Sequence, residues 1–378
     1  MKYNLSDICD YAKGKINVSV LDEDTYISTE NMMPNKGGIT GASSLPTVAQ
    51  TQSFSAGDVL VSNIRPYFKK IWFAEFDGGC SNDVLVFRAK EGVSKRFLYY
   101  VLADDTFFNY SMATSKGTKM PRGDKAAIMK YQVPDFTYEE QEKIAGLLEA
   151  LDKKIQLNAE INENLLEQAQ TIFTEEFLSL DGIPEGWSES SLLGIANYLN
   201  GLAMQKFRPS DDEQGLPVLK IKELRQGSCD ANSELCSPSI KPEYIVHDGD
   251  VIFSWSGSLL VDFWCGGTCG LNQHLFKVTS NKYAKWFYFA WTNHHLQKFA
   301  AIAADMATTM GHIKREELAK AEVLIPSQSD YNRIDGILAP LYDLVIANRI
   351  ENRKLASLRD DLLPQLMSGQ LDVSEVSL

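Results

Sequence analysis

The sequence predicts an α+β protein: two globular α/β domains joined by two long antiparallel coiled-coil helices, with a pseudo-two-fold internal repeat. Three observations predict it. Between Tyr138 and Leu180 apolar residues recur in steps of four and three, at Ile144, Leu148, Leu151, Ile155, Leu165, Ala169 and Ile172, and such a repeat keeps one stripe facing a partner helix. The same steps return at Ile334, Leu338, Leu341, Val345, Leu355 and Leu362. The offset is 190 throughout, and it also carries the polar interruptions Asn158 and Asn162 onto Asn348 and Asn352. Finally, GDVLVSNIRP from Gly57 is echoed by GDVIFSWSGS from Gly249, and Asn82 by Asn272. The duplicated unit is therefore a globule plus a helix, read as residues 1–136, 137–180, 181–326 and 327–378.

The first globule opens with short β-rich runs punctuated by Gly, Pro and Asn. Gly57-Asp58 reads as a turn into a strand, Val84 to Lys90 as a second strand, and Ser94 to Met112 as one amphipathic helix. Its first strand is expected to be trimmed or rearranged, because Met1 lacks the P-E-G-W lead that opens the second globule at Pro184. Thr137 and Glu140 form a capping box for the first long helix, and Ser327 with Asp330 a weaker one for the second. Gly369 suits a C′ position. Pro340 and Pro364 should bend the second helix or begin a new segment. Forty residues at 1.5 Å each make a rod of roughly 60 Å.

With 44% hydrophobic residues and 378 residues in all, the chain supports two real cores. No apolar run approaches a membrane span, so no membrane partner and a cytoplasmic location are expected. The six cysteines do not fall at zinc-ligand spacings. The net charge of −13 is uneven: residues 1–137 carry 16 basic and 15 acidic side chains, 138–180 carry 3 and 10, 181–329 carry 13 and 17, and 330–378 carry 5 and 8. An acidic rod repels phosphate. Any nucleic acid must bind the nearly balanced globules.

No P-loop, H-E-x-x-H, G-x-S-x-G or dinucleotide turn occurs, and the five histidines lack a sequence partner for catalysis. No catalytic residue, metal ligand or cofactor site is assigned to this chain. The basic loops are the candidate DNA-binding residues: Arg65, Lys69, Lys70, Lys116, Lys119 and Arg122 in the first globule. In the second they are Lys206, Arg208, Lys220, Lys222, Arg225, Lys314 and Arg315, with Ser254, Ser256, Thr308, Thr309 and His312 as shorter hydrogen-bonding groups. Such side chains position phosphates, and Arg also reads guanine edges. The alternative for each is an ordinary solvated surface residue.

Residues 141–155 (QEKIAGLLEALDKKI), the P-E-G-W at 184–187 and LRDDLLPQLMSG at 358–369 together resemble the specificity (S) subunits of type I restriction-modification systems, across essentially the whole chain. The resemblance implies two target-recognition domains that read the halves of a bipartite double-stranded DNA target. It implies helices that dock two methyltransferase (M) subunits, which would carry the S-adenosylmethionine, and restriction (R) subunits as further partners. It makes this chain a non-catalytic subunit. A rod of roughly 60 Å exceeds the roughly 34 Å of one DNA turn, which suits a bipartite target. The seam asparagines would set register, or else sit tolerated in a solvated stretch. Leu147, Leu157, Ile161, Ile337, Leu344 and Ile350 lie off the seam and are expected to meet M-subunit helices, or else the chain's own globules. Two other readings stay open: a coiled-coil adaptor with protein-binding globules, and a stand-alone nuclease or methyltransferase.

Overall fold

The structure, a computed structural model, describes residues 2–305 and 313–373. It resolves into two compact units, one of residues 1–153 with 355–378 and one of residues 154–354. In the first, β1 (Lys2–Asn4) pairs with β10 (Gln132–Pro134), and α1 (Leu5–Ile8) follows β1 directly. Of the two outcomes expected for this first strand, rearrangement is overturned; the strand is one residue shorter than its counterpart over Ser188–Ser191. Chain entry and exit are tied by the same two-stranded ribbon that closes the second unit.

A four-stranded antiparallel sheet forms the middle layer, in the order β2 (Cys9–Tyr11), β9 (Val84–Ala89), β6 (Val59–Ser62), β7 (Ile71–Phe73). A second sheet runs β3 (Lys15–Asn17), β5 (Gln50–Phe54), β8 (Gly78–Cys80), β4 (Tyr26–Ile27). Strand alternation assigns the core. Val59, Val61, Leu85 and Phe87 face the helices, whereas Leu60, Val84 and Val86 face the second sheet with Ile27, Phe54 and Cys80. Both faces are covered, which is why β6 reads as an unbroken apolar run. Each such side chain fully buried contributes on the order of 2 kcal/mol.

The single helix expected over Ser94–Met112 is two, α2 (Lys95–Ala103) and α3 (Asp105–Ala113). Asp104 between them is extended, and its carboxylate accepts from Thr106 N at 2.7 Å, so an internal N-cap breaks the run. After α4 (Lys125–Ile128), α5 (Tyr138–Phe173) starts at the expected box: Thr137 N donates to Glu140 Oε2 at 2.7 Å and Glu140 N to Thr137 Oγ1 at 3.3 Å. Residues 138–153 close the core of this unit with Ile144, Ala145 and Leu148, opposite Leu363, Leu366 and Met367 of the last helix. The two helical sequence motifs meet here. Arg359 Nη1 donates to Asp152 Oδ1 at 2.8 Å, and Tyr100 OH donates to Asp152 Oδ2 at 2.8 Å. Burial, with the Asp152 charge beside it, drives the Tyr100 hydroxyl well above the ordinary tyrosine range.

The second unit repeats the plan. β11 (Ser188–Ser191) pairs with β20 (Glu322–Ile325), and α6 (Leu192–Ile195) follows β11. The middle sheet runs β12 (Asn197–Asn200), β19 (Leu275–Thr279), β16 (Val251–Ser254), β17 (Leu260–Phe263), in the same order and sense as its counterpart. The outer sheet runs β14 (Leu235–Cys236), β13 (Leu216–Leu219), β18 (Cys269–Leu271), β15 (Ile245–Val246), with α7 (Ile221–Gln226) following β13. The trio β13-β18-β15 copies β4-β8-β5, parallel then antiparallel. The fourth strand differs. It is added beside β5 in the first unit and beside β13 in the second. Divergence is concentrated at sheet edges and loops, where pairing constrains sequence least.

Helices α8 (Lys285–His294) and α9 (Leu296–Asp305) repeat the α2–α3 break, and α10 (Arg315–Lys320) leads into β20. The final helix, α11 (Gln328–Ser368), runs through Pro340 and Pro364 without starting a new segment. Each proline removes one helical N–H, a local cost of about 3 kcal/mol that packing on either side offsets. Trp187 of P-E-G-W places its Nε1 on Asp330 Oδ2 at 2.9 Å, and so reinforces the Ser327 cap of α11. Gly369 is left-handed with φ +71, and Gly369 N bonds Leu366 O while Gln370 N bonds Gln365 O, a full Schellman closure.

Within the second unit, residues 154–173 and 328–354 pair antiparallel. Asn158 Nδ2 donates to Asn352 Oδ1 at 2.8 Å, and Asn348 Nδ2 donates to Asn162 Oδ1 at 2.9 Å. Asn352 Nδ2 reaches Ile155 O at 3.0 Å, and Asn162 Nδ2 reaches Val345 O at 3.4 Å. Adding or subtracting 190 turns each bond into its counterpart, so a local two-fold passes between these rungs. Asn158, at 1% exposure, is as buried as a core leucine. The asparagines are paired in register and do not occupy a solvated gap.

Candidate nucleic-acid interface

In the first unit the chain folds three loops onto one another, residues 29–37, 63–70 and 115–123. Arg65 N bonds Pro121 O at 2.8 Å, Gly123 N bonds Asn63 O at 3.2 Å, and Lys116 and Arg122 pair through both backbone groups at 2.9 Å. The third loop joins from the other side: Asn35 N bonds Phe68 O at 2.8 Å and Lys36 N bonds Lys69 O at 2.9 Å. Gly123 is required at the junction, because a Cβ there would stand 2.8 Å from Asn63 Oδ1 and 2.9 Å from Ser111 Oγ.

Among the described residues, the non-glycine residues with left-handed backbone are Asn35, Lys36, Arg65 and Lys69, with φ between 50 and 62. All four lie in these two touching loops. Each costs on the order of 1–2 kcal/mol, less for Asn, and strain of this kind persists where surrounding bonds over-determine it, commonly at functional sites.

The loops carry Lys36, Arg65, Lys69, Lys70, Lys116, Lys119 and Arg122 against one carboxylate of their own, Glu30. Aspartates from the elements behind hold several of these cations in place. Lys69 Nζ lies 2.7 Å and Lys36 Nζ 3.0 Å from Asp105, Lys116 Nζ 2.6 Å from Asp124, and Arg122 3.1 Å from Asp83. Burial alone would raise the Asp105 carboxyl, but the two ammonium groups outweigh it and hold it below the ordinary carboxylate range. Asp124 is held low chiefly by Lys116. Lys70 is turned inward onto Thr29 O at 2.6 Å, and burial lowers its ammonium, so it braces the loops and does not face outward. Arg65 is half-buried, with its Nε unpaired. Sequence reasoning missed Lys36, since nothing local in PNKGG marks it. Its position beside Lys69 is made by tertiary contact alone.

In the second unit the junction is repeated. Ile313 N bonds Trp255 O at 3.1 Å, the counterpart of the Gly123–Asn63 bond, and exposed Lys314 and Arg315 follow it. Arg315 Nη1 reaches Tyr198 O at 3.4 Å. A second basic group surrounds β13–β14. Lys220 lies 2.7 Å from Glu234, whose carboxylate is held low chiefly by Lys220 with Arg208 adding to it, and Lys222 lies 3.4 Å from Asp230. Lys206 and Arg225 are exposed.

Two proposed contacts are corrected. Ser254 is fully buried with its Oγ 2.9 Å from Ser258 O, and Ser256 is buried with its Oγ 3.2 Å from His274 Nδ1. The Ser254 hydroxyl is consumed in shaping the 255–259 turn, and the Ser256 hydroxyl in tying that turn to His274; the turn is five residues long where the first unit has eight. Thr308, Thr309 and His312 lie outside the described residues. On the helices, Leu147 packs against the core of the first unit and Ile350 against that of the second, so the chain itself partly covers both. Leu157, Ile337 and Leu344 are exposed, and Ile161 is half-buried. No helix among the described residues is long and apolar enough to cross a membrane.

The family model described as the type I restriction modification DNA specificity domain matches this chain twice, over residues 1–167 and 184–359. The chain is 25% identical over 309 residues to the type I restriction enzyme MjaIX specificity subunit of Methanocaldococcus jannaschii, covering 76% of this chain and 71% of that protein. It is 19% identical to the HindI specificity subunit of Haemophilus influenzae, across 98% of this chain and 99% of that one. The crystal structure of a type I restriction-modification S subunit from M. genitalium superposes with a TM-score of 0.60 at 15% identity, over 97% of this chain and 96% of the other, which shows a shared fold. With two matched copies, each built on the same sheets and the same loop junction, this chain belongs to the family of type I restriction-modification DNA specificity domains.

Proposed function

We propose that this chain is the sequence-reading subunit of a type I restriction-modification complex and performs no chemistry itself. Each globule reads one half of a bipartite double-stranded DNA target. The observation that carries this is the duplicated junction: Gly123–Asn63 in one unit and Ile313–Trp255 in the other support basic loops of different length and composition on one scaffold. A constant frame with variable readers is what two unlike half-sites require. The exposed Leu157, Ile337 and Leu344, with Ile161, offer apolar surface on the helices to methyltransferase subunits. Those subunits would hold the S-adenosylmethionine and transfer the methyl group, with restriction subunits as further partners.

The test is an exchange. Replacing residues 181–326 by the equivalent segment of another specificity subunit, and sequencing the methylome of cells that also carry the methyltransferase genes, should alter one half of the methylated sequence and keep the other. Alteration of both halves, or of neither, would sink the division of labour. In the purified complex, Arg122→Ala should make the plot of log K against log salt shallower by about 0.9, the share of one phosphate contact. An unchanged slope in fluorescence anisotropy titrations would remove Arg122 from the interface.

A further inference from the structure

We propose that Tyr67 and Phe68 form a wedge that enters the base stack of the half-site read by the first globule. This deepens the DNA-reading function proposed above and rests on it. Four large apolar side chains of the three convergent loops stand in solvent: Met33 at 41%, Tyr67 at 48%, Phe68 at 38% and Met120 at 48% exposure. Such a grouping marks a surface that meets a partner. Its surroundings identify the partner's chemistry. Lys69 lies on the loop that carries the aromatic pair, and Lys36, Lys119 and Arg122 lie on the two loops bonded to it. A polyanion with apolar faces satisfies both components, as a nucleic acid does. Aromatic rings stack on bases of any sequence, and Phe and Met are among the side chains that pry base steps apart.

Rigidity favours insertion as well. The Tyr67 and Phe68 rings lie 4.7 Å apart on a short 3-10 turn, Pro66–Phe68, flanked by left-handed Arg65 and Lys69 and clamped by the Asn35 and Lys36 backbone bonds. A tip already ordered loses little freedom on entering DNA. The corresponding turn of the second globule differs. Trp255 is half-buried with its Nε1 on Asn200 Oδ1 at 3.0 Å, and Ser256 is buried. The wedge therefore belongs to the first globule.

The experiment uses the full chain co-purified with its methyltransferase subunits, on duplexes carrying 2-aminopurine at successive positions of both half-sites defined by the methylome. Apart from the methylated position of each half-site, where the methyltransferase subunits turn the base out of the stack, one step of the first globule's half-site should brighten severalfold on binding, and no step of the other should. Tyr67→Ala/Phe68→Ala should abolish that signal and weaken cognate binding about tenfold or more, the scale of a lost stacking contact. Tyr67→Trp should retain it. Dark 2-aminopurine at every position of that half-site other than the methylated one, with the double variant binding as tightly as the unaltered complex, overturns the wedge and leaves DNA reading intact. Failure of the unaltered complex to prefer its cognate sequence overturns the function itself.

Discussion

Trp286→Ala should destabilise the second unit by about 3–5 kcal/mol, the range for truncating a fully buried large aromatic. Trp286 is 1% exposed and lies within ring-stacking distance of Phe177, Phe287 and Tyr331, and its Nε1 donates to Asp335 Oδ1 on α11 at 2.6 Å. One side chain thus joins the end of the first long helix, the globule and the second long helix of this unit. Trp286→Phe keeps most of the apolar volume and loses the N–H bond, so it should cost less, about 1–2 kcal/mol. Differential scanning calorimetry checks both: at roughly 2–4 °C per kcal/mol for a unit of this size, the alanine variant should melt on the order of 10 °C lower. A shift within error would mean that the aromatic cluster closes over the gap.

Asn162→Ala is expected to cost about 1–3 kcal/mol, mostly because it strands the buried Nδ2 of Asn348, whose acceptor is Asn162 Oδ1. Asn162→Leu/Asn348→Leu removes donor and acceptor together and should be near neutral or stabilising, since a polar rung in an apolar seam trades stability for register. Urea unfolding of the three proteins distinguishes the two contributions. The double variant should also relax pairing specificity, visible as new products when cysteines are placed at non-native registers along the two helices and oxidised. A double variant as unstable as Asn162→Ala would show that the rung contributes packing alone.

The asparagine rungs show how far local sequence reaches. A seven-residue period, a repeated offset and a polar interruption are properties of neighbouring residues on one helix, so the helices, their caps at Thr137 and Ser327, the closing Gly369 and the duplication were all legible in the chain. The run from Ser94 to Met112 misled because its apolar period continues through Asp104, whose short carboxylate captures Thr106 N and ends the helix from inside. Ser254 and Ser256 misled because a hydroxyl type says nothing about whether it points to solvent, to the backbone of its own turn as Ser254 does, or to another side chain such as His274 as Ser256 does.

What the sequence by itself determined was the frame: where the two long helices run, where they are capped, and that the whole is made twice. Only the tertiary structure decided the surface proposed to read DNA, where Lys36, Tyr67, Phe68, Met120 and Arg122 come together from loops separated by tens of residues. Periodicity is enforced by regular backbone hydrogen bonding and so is written locally. The adjacency of loops is set by which strand ends the sheets bring side by side, and no single stretch of the chain encodes it.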